Sequence, residues 1–209
     1  ILAETRKFAP KTFFSGHFNH MSHPAAIVTG ASRGIGRAIA LELGRAGHDI
    51  AVNFVRSRAA AEKVADEIRE MGRRTVCIQA DVGVTTDRER LVAQTTESFG
   101  RLDVLINNAG ITSPGRKDLL EATEESWDTV FDTNLKGPFF LAQKCAKEMI
   151  RHIEKHSISK GTIINVSSIS AYAVSANRAD YCMAKAAMQM MTWLFAERLA
   201  EAGVRVYEI

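Results

Sequence analysis

Ala25-Ala-Ile-Val-Thr-Gly-Ala-Ser-Arg-Gly-Ile-Gly36 joins a short apolar run to a glycine-rich turn and the opening of a helical pattern. Ala25 to Thr29 suits a strand. Beyond the turn, Ile35, Ala38, Ile39, Leu41 and Leu43 recur at helical spacing until Gly47. Further strand patterns follow at 50–55, 75–80, 104–107 and 162–166 and from Val204 onward. Between them lie helical patterns at 59–71, 86–99 and 179–202, and one within 127–153 that breaks near Leu135-Lys-Gly-Pro138. The near-continuously apolar runs Ala-Ala-Ile-Val, Val-Leu-Ile and Ile-Ile-Asn-Val suit strands covered on both sides. Strict alternation of strand and helix predicts an α/β fold, a doubly wound and mostly parallel sheet with helices on both faces.

With 209 residues, 46% of them hydrophobic, the chain has material for one sizeable core. We expect a single domain over 23–209, preceded by an N-terminal extension at 1–22. Val204 to Ile209 reads as a buried strand that stops, so the domain is expected to be incomplete at its C-terminus. The net charge is +3, and residues 1–22 hold two of those charges, with Arg6, Lys7 and Lys11 against Glu4. The remainder is close to neutral and shows no basic stripe for nucleic acid. No apolar run reaches the roughly 20 residues that span a bilayer, and no signal-peptide core is visible. Cys77, Cys145 and Cys182 show no CxxC spacing. Free thiols in a reducing, cytoplasmic setting are the expectation.

Gly30, Gly34 and Gly36 follow the first strand, where glycine permits a tight turn and a close approach of backbone to phosphate. The helix N-terminus adds free N–H groups. With Ser32, Arg33 and Ile35 between them, they read as a pyrophosphate cradle; a tight strand–helix connection alone would also call for glycine. The second strand runs into Ala51-Val-Asn-Phe-Val-Arg-Ser-Arg58, with two arginines and no acid to hold a ribose hydroxyl. Arg33 and Arg56 therefore favour NADP(H), since guanidinium suits a 2′-phosphate, while NAD(H) stays open. Asp81-Val82 after the third strand could meet an adenine amine, and Asn107-Asn108-Ala109-Gly110 ends the fourth strand where ligands bind; both could instead cap loops.

Tyr181 and Lys185 stand four residues apart on one helix, and Ser168 lies thirteen residues before the tyrosine. A free phenol has a pKa of about 10, which a neighbouring ammonium draws toward neutrality. Tyr181 could then exchange a proton with a carbonyl or alcohol oxygen that the Ser168 hydroxyl polarises, and Lys185 could also reach a nicotinamide ribose.

These motifs, in this order, resemble the short-chain dehydrogenase/reductase family over residues 24–209. Thr29 to Gly36 matches its Thr-Gly-x-x-x-Gly-x-Gly motif, Asn107 to Gly110 its Asn-Asn-Ala-Gly motif, and Tyr181 with Lys185 its Tyr-x-x-x-Lys motif. The resemblance implies a Rossmann fold, Ser168 as the catalytic serine, and Asn134 as a catalytic asparagine that holds a water linking the lysine to solvent. Ala-Ser-Arg-Gly-Ile-Gly, Asn-Phe-Val-Arg-Ser and Asn-Leu-Lys-Gly-Pro-Phe are similar to 3-oxoacyl-[acyl-carrier-protein] reductases. NADPH-dependent reduction of a small or carrier-bound ketone, such as a 3-oxoacyl thioester of fatty acid biosynthesis, is what this implies. Sugar and polyol dehydrogenases share much of the pattern but would favour NAD(H), and a non-catalytic nucleotide-binding protein would need no Ser168, Tyr181, Lys185 or Asn134. Family members continue past the sixth strand into a Pro-Gly turn, a substrate-covering segment and a seventh strand, which are not found in this sequence.

Met183, Met188, Met190, Met191, Trp193, Leu194 and Phe195 make the last helix apolar on more than one face. In the family the corresponding helix pairs between subunits, so a homodimer or homotetramer is expected. His17, His20 and His23 lack nearby Cys or carboxylate partners, and His152 with His156 reads as a solvated helix end; no metal site is expected. Cys182, next to Tyr181, turns away from it on a helix and is expected to pack.

Overall fold

In residues 23–209, the part of the chain that the computed structural model describes, six strands pair in the order β3-β2-β1-β4-β5-β6. They are β1 (Ala25–Val28), β2 (Asp49–Phe54), β3 (Thr75–Gln79), β4 (Val104–Asn107), β5 (Gly161–Asn165) and β6 (Val204–Glu208). Every pairing is parallel. The α/β doubly wound arrangement read from the sequence is therefore present, with boundaries shifted by a residue or so. β1 and β2 are buried at every position, as strands covered on both faces must be.

Alternate residues divide the core in two. Ala26, Val28, Ile50 and Val52 meet Leu41 of α1 (Gly34–Arg45) and Val64 and Ile68 of α2 (Arg58–Glu70). On the opposite face, Ala25, Ile27, Leu105 and Ile163 meet Leu91 of α3 (Thr85–Phe99) together with Leu141, Cys145 and Met149 of α5 (Gly137–Glu154). Leu199 of α6 (Ala179–Leu199) closes that side against Val204 and Val206.

The break expected near 135–138 is not a break. α4 (Glu124–Phe131) continues through a π-helical turn, Asp132–Lys136, straight into α5. Pro138 has no N–H for the carbonyl of Asn134, four residues back, and its ring would crowd that carbonyl in a regular α-helix. Widening by one residue resolves the conflict without interrupting the helix. Gly137 is needed beside it, because a Cβ there would lie 2.7 Å from the Val82 carbonyl oxygen.

A line of buried polar side chains crosses the sheet below the ligand edge. Thr192 of α6 accepts from Asn165 Nδ2 at 2.9 Å, and Asn165 Oδ1 accepts from Asn107 Nδ2 at 2.9 Å. At the edge itself, between β1 and β4, the strand order reverses, which is where open parallel sheets bind ligands. Thr29 joins the two strands there. Its Oγ1 donates to the Ile106 carbonyl at 3.1 Å and accepts the backbone N–H groups of Asn108 and Ala109, each at 2.9 Å. Thr29→Val keeps the shape and removes all three bonds. We expect it to lower unfolding stability by about 2 kcal/mol, with the slope against urea unchanged; a midpoint equal to that of the wild type would show that the hydroxyl ties nothing.

Candidate active site

The turn after β1 is glycine-rich for two different reasons. Gly30 and Gly34 have φ of +63° and +57°, the left-handed region that side chains disfavour. Gly36 instead faces crowding, since a Cβ there would overlap Asn108 Nδ2 and the Gly30 carbonyl. Asn108 is held in that position by its Nδ2, which donates to the Thr29 carbonyl at 2.8 Å. Asn53, which the sequence reading noted only for not being an acid, is a working part of the turn. Its Oδ1 accepts Gly30 N–H at 3.1 Å, and its Nδ2 donates to the Ala80 and Ile78 carbonyls at 2.9 and 3.3 Å. An asparagine inside a fully buried strand was the available signal, because buried amides must find partners.

Arg33 caps the start of α1 and Arg56 follows β2, both exposed and with side chains that have no hydrogen-bond or ion-pair partner among the described residues. Arg58 is engaged: it pairs with Glu62 at 3.4 Å and lies over the Phe54 ring. Asp81 Oδ1 accepts Gly83 N–H at 2.9 Å, the loop-capping alternative, and Val82 is buried with its carbonyl accepting from Arg88 at 2.6 Å. Gly110 approaches Asn134 so closely that a Cβ would lie 3.0 Å from Asn134 Oδ1. Asn134 is fully buried and clasps the backbone of one residue: Oδ1 accepts Ile111 N–H and Nδ2 donates to the Ile111 carbonyl, both at 2.8 Å.

Lys185 is 4% exposed, and its Nζ donates to the Val166 carbonyl at 2.8 Å while lying 5.9 Å from the centre of the Tyr181 ring. Burial depresses its pKa to about 8, with the Glu208 carboxylate acting in the opposite direction. Tyr181 is half-buried between this ammonium and the Arg178 guanidinium, which sits 5.8 Å from the same ring. A cavity of about 260 Å³ brings Ile35, Asn108, Gly110, Tyr181 and Lys185 together. Ser168 instead borders an adjoining cavity of about 690 Å³, along with Ile169, Tyr172 and Trp193, and Ser167 borders both. Ser168 Oγ accepts Ser170 N–H at 3.1 Å, which leaves its own proton free to be donated.

Asp180 was missed by the sequence reading. Buried to 4% exposure, it accepts the Ser113 hydroxyl, the Ser126 hydroxyl at 2.5 Å and the Tyr181 backbone N–H at 2.8 Å. His17 and His20 lie outside the described residues, and among the described residues no group of three or more His, Cys, Asp or Glu could hold a metal. At the end of α5 His156 is exposed as expected, whereas His152 is half-buried; its Nδ1 lies 3.1 Å from Ser157 Oγ, and burial together with nearby Arg151 lowers its pKa. No helix among the described residues is long and apolar enough to cross a membrane. The three cysteines are free thiols, Cys145 buried and the other two partly so.

The depressed lysine makes a prediction with a definite sign. Between about pH 8 and 10.5 the unfolded chain holds a proton on Lys185 that the folded chain has lost, so burial of this side chain costs least at the upper end and most below pH 8. Unfolding stability should therefore gain an increment on raising the pH through that window, and Lys185→Met should lack it. Identical pH profiles in urea melts of the two proteins would contradict this.

The family model for short chain dehydrogenases matches residues 24–209. The 3-oxoacyl-[acyl-carrier-protein] reductase FabG of Staphylococcus aureus is 41% identical over 182 residues, which are 87% of this chain and 71% of that protein. The structure of the 3-oxoacyl-[acyl-carrier protein] reductase of Brucella melitensis in complex with NAD superposes with a TM-score of 0.82 at 35% identity, over 89% of this chain and 72% of that one. The landomycin C-6 ketoreductase LanV, with bound NADP and rabelomycin, gives 0.78 at 34% identity, over 88% and 74%. By this matched model, these relatives and the Rossmann sheet that carries the site, the chain belongs to the short-chain dehydrogenase family and is an oxidoreductase.

Proposed function

We propose that this enzyme uses NADPH to reduce a ketone to a secondary alcohol, with Tyr181 giving the proton to the carbonyl oxygen. The observation that carries the reading is the buried Lys185 ammonium beside the Tyr181 ring, in one cavity with Asn108 and the start of α1. The glycine turn fits the cofactor, since Gly34 faces open space with a φ no side chain favours, and the Arg33 and Arg56 side chains are unpartnered cations, among the described residues, for a 2′-phosphate. Gly30, Ser32, Gly34 and Ile35 complete the turn that would hold the pyrophosphate, and Asp81, Val82, Ala109 and Gly110 are the residues that would hold the rest of the nucleotide.

A bound nicotinamide supplies the hydride. The Lys185 ammonium, 5.9 Å from the centre of the Tyr181 ring, stabilises the negative charge that the phenol oxygen gains as its proton passes to the carbonyl. Ser168 donates its free O–H to the same oxygen and stabilises the charge that develops there. Asn134 spends one hydrogen bond from each side-chain polar atom on Ile111, and the capacity that remains would serve the water that the family resemblance assigns to it. A 3-oxoacyl thioester is the proposed substrate, supported by the reductases named above. A small-alcohol dehydrogenase would use the same groups in reverse, but the two free arginines favour NADPH and hence reduction.

Tyr181→Phe should cut turnover of acetoacetyl thioester by about a hundredfold or more while leaving the affinity for NADPH within a factor of two. In the same titrations NADPH should bind more tightly than NADH, and Arg33→Ala with Arg56→Ala should erase the difference. Retained turnover in the phenylalanine variant would remove the proton-transfer role.

Met190, Trp193 and Leu194 on α6 are 51%, 56% and 59% exposed, an apolar face that no described segment covers. It supports a homodimer or homotetramer through α6. Light scattering at micromolar concentration should give a mass at least twice that of the chain; a monomer would end the idea.

A further inference from the structure

Two guanidinium groups border the smaller cavity, and the proposed proton transfer uses neither. Arg178 lies three residues before Tyr181 and crosses its ring, with Nε donating to Ser175 Oγ at 3.3 Å. Its two terminal nitrogens have no hydrogen-bond partner among the described residues. Arg116 ends the short turn Pro114–Arg116, has φ of +48°, and is exposed with no ion-pair or side-chain hydrogen-bond partner among the described residues. A non-glycine residue in that backbone region is uncommon. Eight of the other fourteen arginines among the described residues pair with a carboxylate; these two do not.

The carboxylates nearest in sequence are occupied elsewhere: Asp118, two residues after Arg116, accepts Leu120 N–H at 3.0 Å. Asp180 is buried and accepts from Ser113, Ser126 and the Tyr181 backbone. Ser113 precedes Arg116 by three residues, and Arg178 precedes Asp180 by two. One buried anion thus braces the bases of both arginine-bearing segments against α4 and the start of α6, and it sets both guanidiniums at the mouth of the cavity that holds Tyr181. Arg33, at the start of α1, and Arg56, after β2, are separate from this pair.

Unpaired cations around a partly enclosed cavity attract an anion, and a guanidinium can grip carboxylate or phosphate through two parallel hydrogen bonds. We infer that the substrate is a ketone that also carries an anionic group, a carboxylate or a phosphate, which Arg116 and Arg178 hold while the carbonyl meets Tyr181. The inference rests on the ketone reduction proposed above and adds the charge of the substrate.

The test compares ketones matched in everything but charge. Acetoacetyl-CoA against the neutral acetoacetyl-N-acetylcysteamine examines phosphate, and 4-oxopentanoate against its methyl ester examines carboxylate. We expect kcat/KM to favour the charged member by about tenfold or more in one of the pairs, which identifies the group. The preference should shrink with added salt and fall toward unity when Arg116→Asn, which suits a positive φ, is combined with Arg178→Gln. No preference in either pair, or one that survives both substitutions, overturns the inference. So does a loss of NADPH affinity in the variants as large as the loss for substrate, because the guanidiniums would then be holding cofactor. If no ketone is reduced, it is the proposed reaction that fails. Calorimetric binding of the same pairs to the protein saturated with NADP⁺ then decides the charge preference by itself.

Discussion

The close contact between the turn after β1 and the end of β4 is the constraint on which the site depends. Thr29 bonds three backbone groups across the gap, Asn108 returns a bond to the Thr29 carbonyl, and Gly36 fits only because it lacks a Cβ. Two strands distant in sequence are thereby held at one edge of the sheet, with their N–H groups and side chains directed at a common space. A second fastening, Asn134 on Ile111, holds the loop that leaves β4, and a third, Asp180 on Ser113, holds its far end. The cavity wall between Gly110 and Ser113 is therefore fixed at both ends by buried side chains.

Much of this was legible from residue patterns because a parallel sheet imposes strong local signals. Strands covered on both faces must be apolar throughout, as β1 is, and each helix must announce its inner face by period, as Leu41 and Val64 do. The glycine turn and the Tyr181–Lys185 spacing were legible for the same reason: their geometry is set within eight residues. The residues that escaped act over long separations. Asp180 and Ser113 lie 67 residues apart, and Asn53 reaches Gly30 and Ala80 from the middle of an apolar strand. Nothing local marks such partners. The π-helical turn was misread as a break because Gly-Pro is a strong stop signal in isolation, whereas α4 and α5 pack as one continuous helix.

The division of labour around the sheet is uneven. The β1–β4 edge is bound by short, buried hydrogen bonds, whereas the rim beyond it carries exposed side chains such as Leu120 and Val174. Groups that meet a feature common to many reactions are fixed; those that meet the variable part of a substrate stand on short turns over that base. The segments that carry Arg116 and Arg178 are short turns of this rim, yet Asp180 braces them through Ser113 and the start of α6.

Lys185 carries a consequence for the chain as a whole. A cation is held out of water beside a carbonyl and a thioether, with no carboxylate in contact, and the fold is weaker for it. In the proposed proton transfer its charge is matched best at the moment when the neighbouring phenol becomes an anion. Ground-state robustness and reactivity thus pull in opposite directions at one position. A search for hardier variants of this protein, made without regard to turnover, would be drawn toward an uncharged side chain at 185 and would discard the chemistry first.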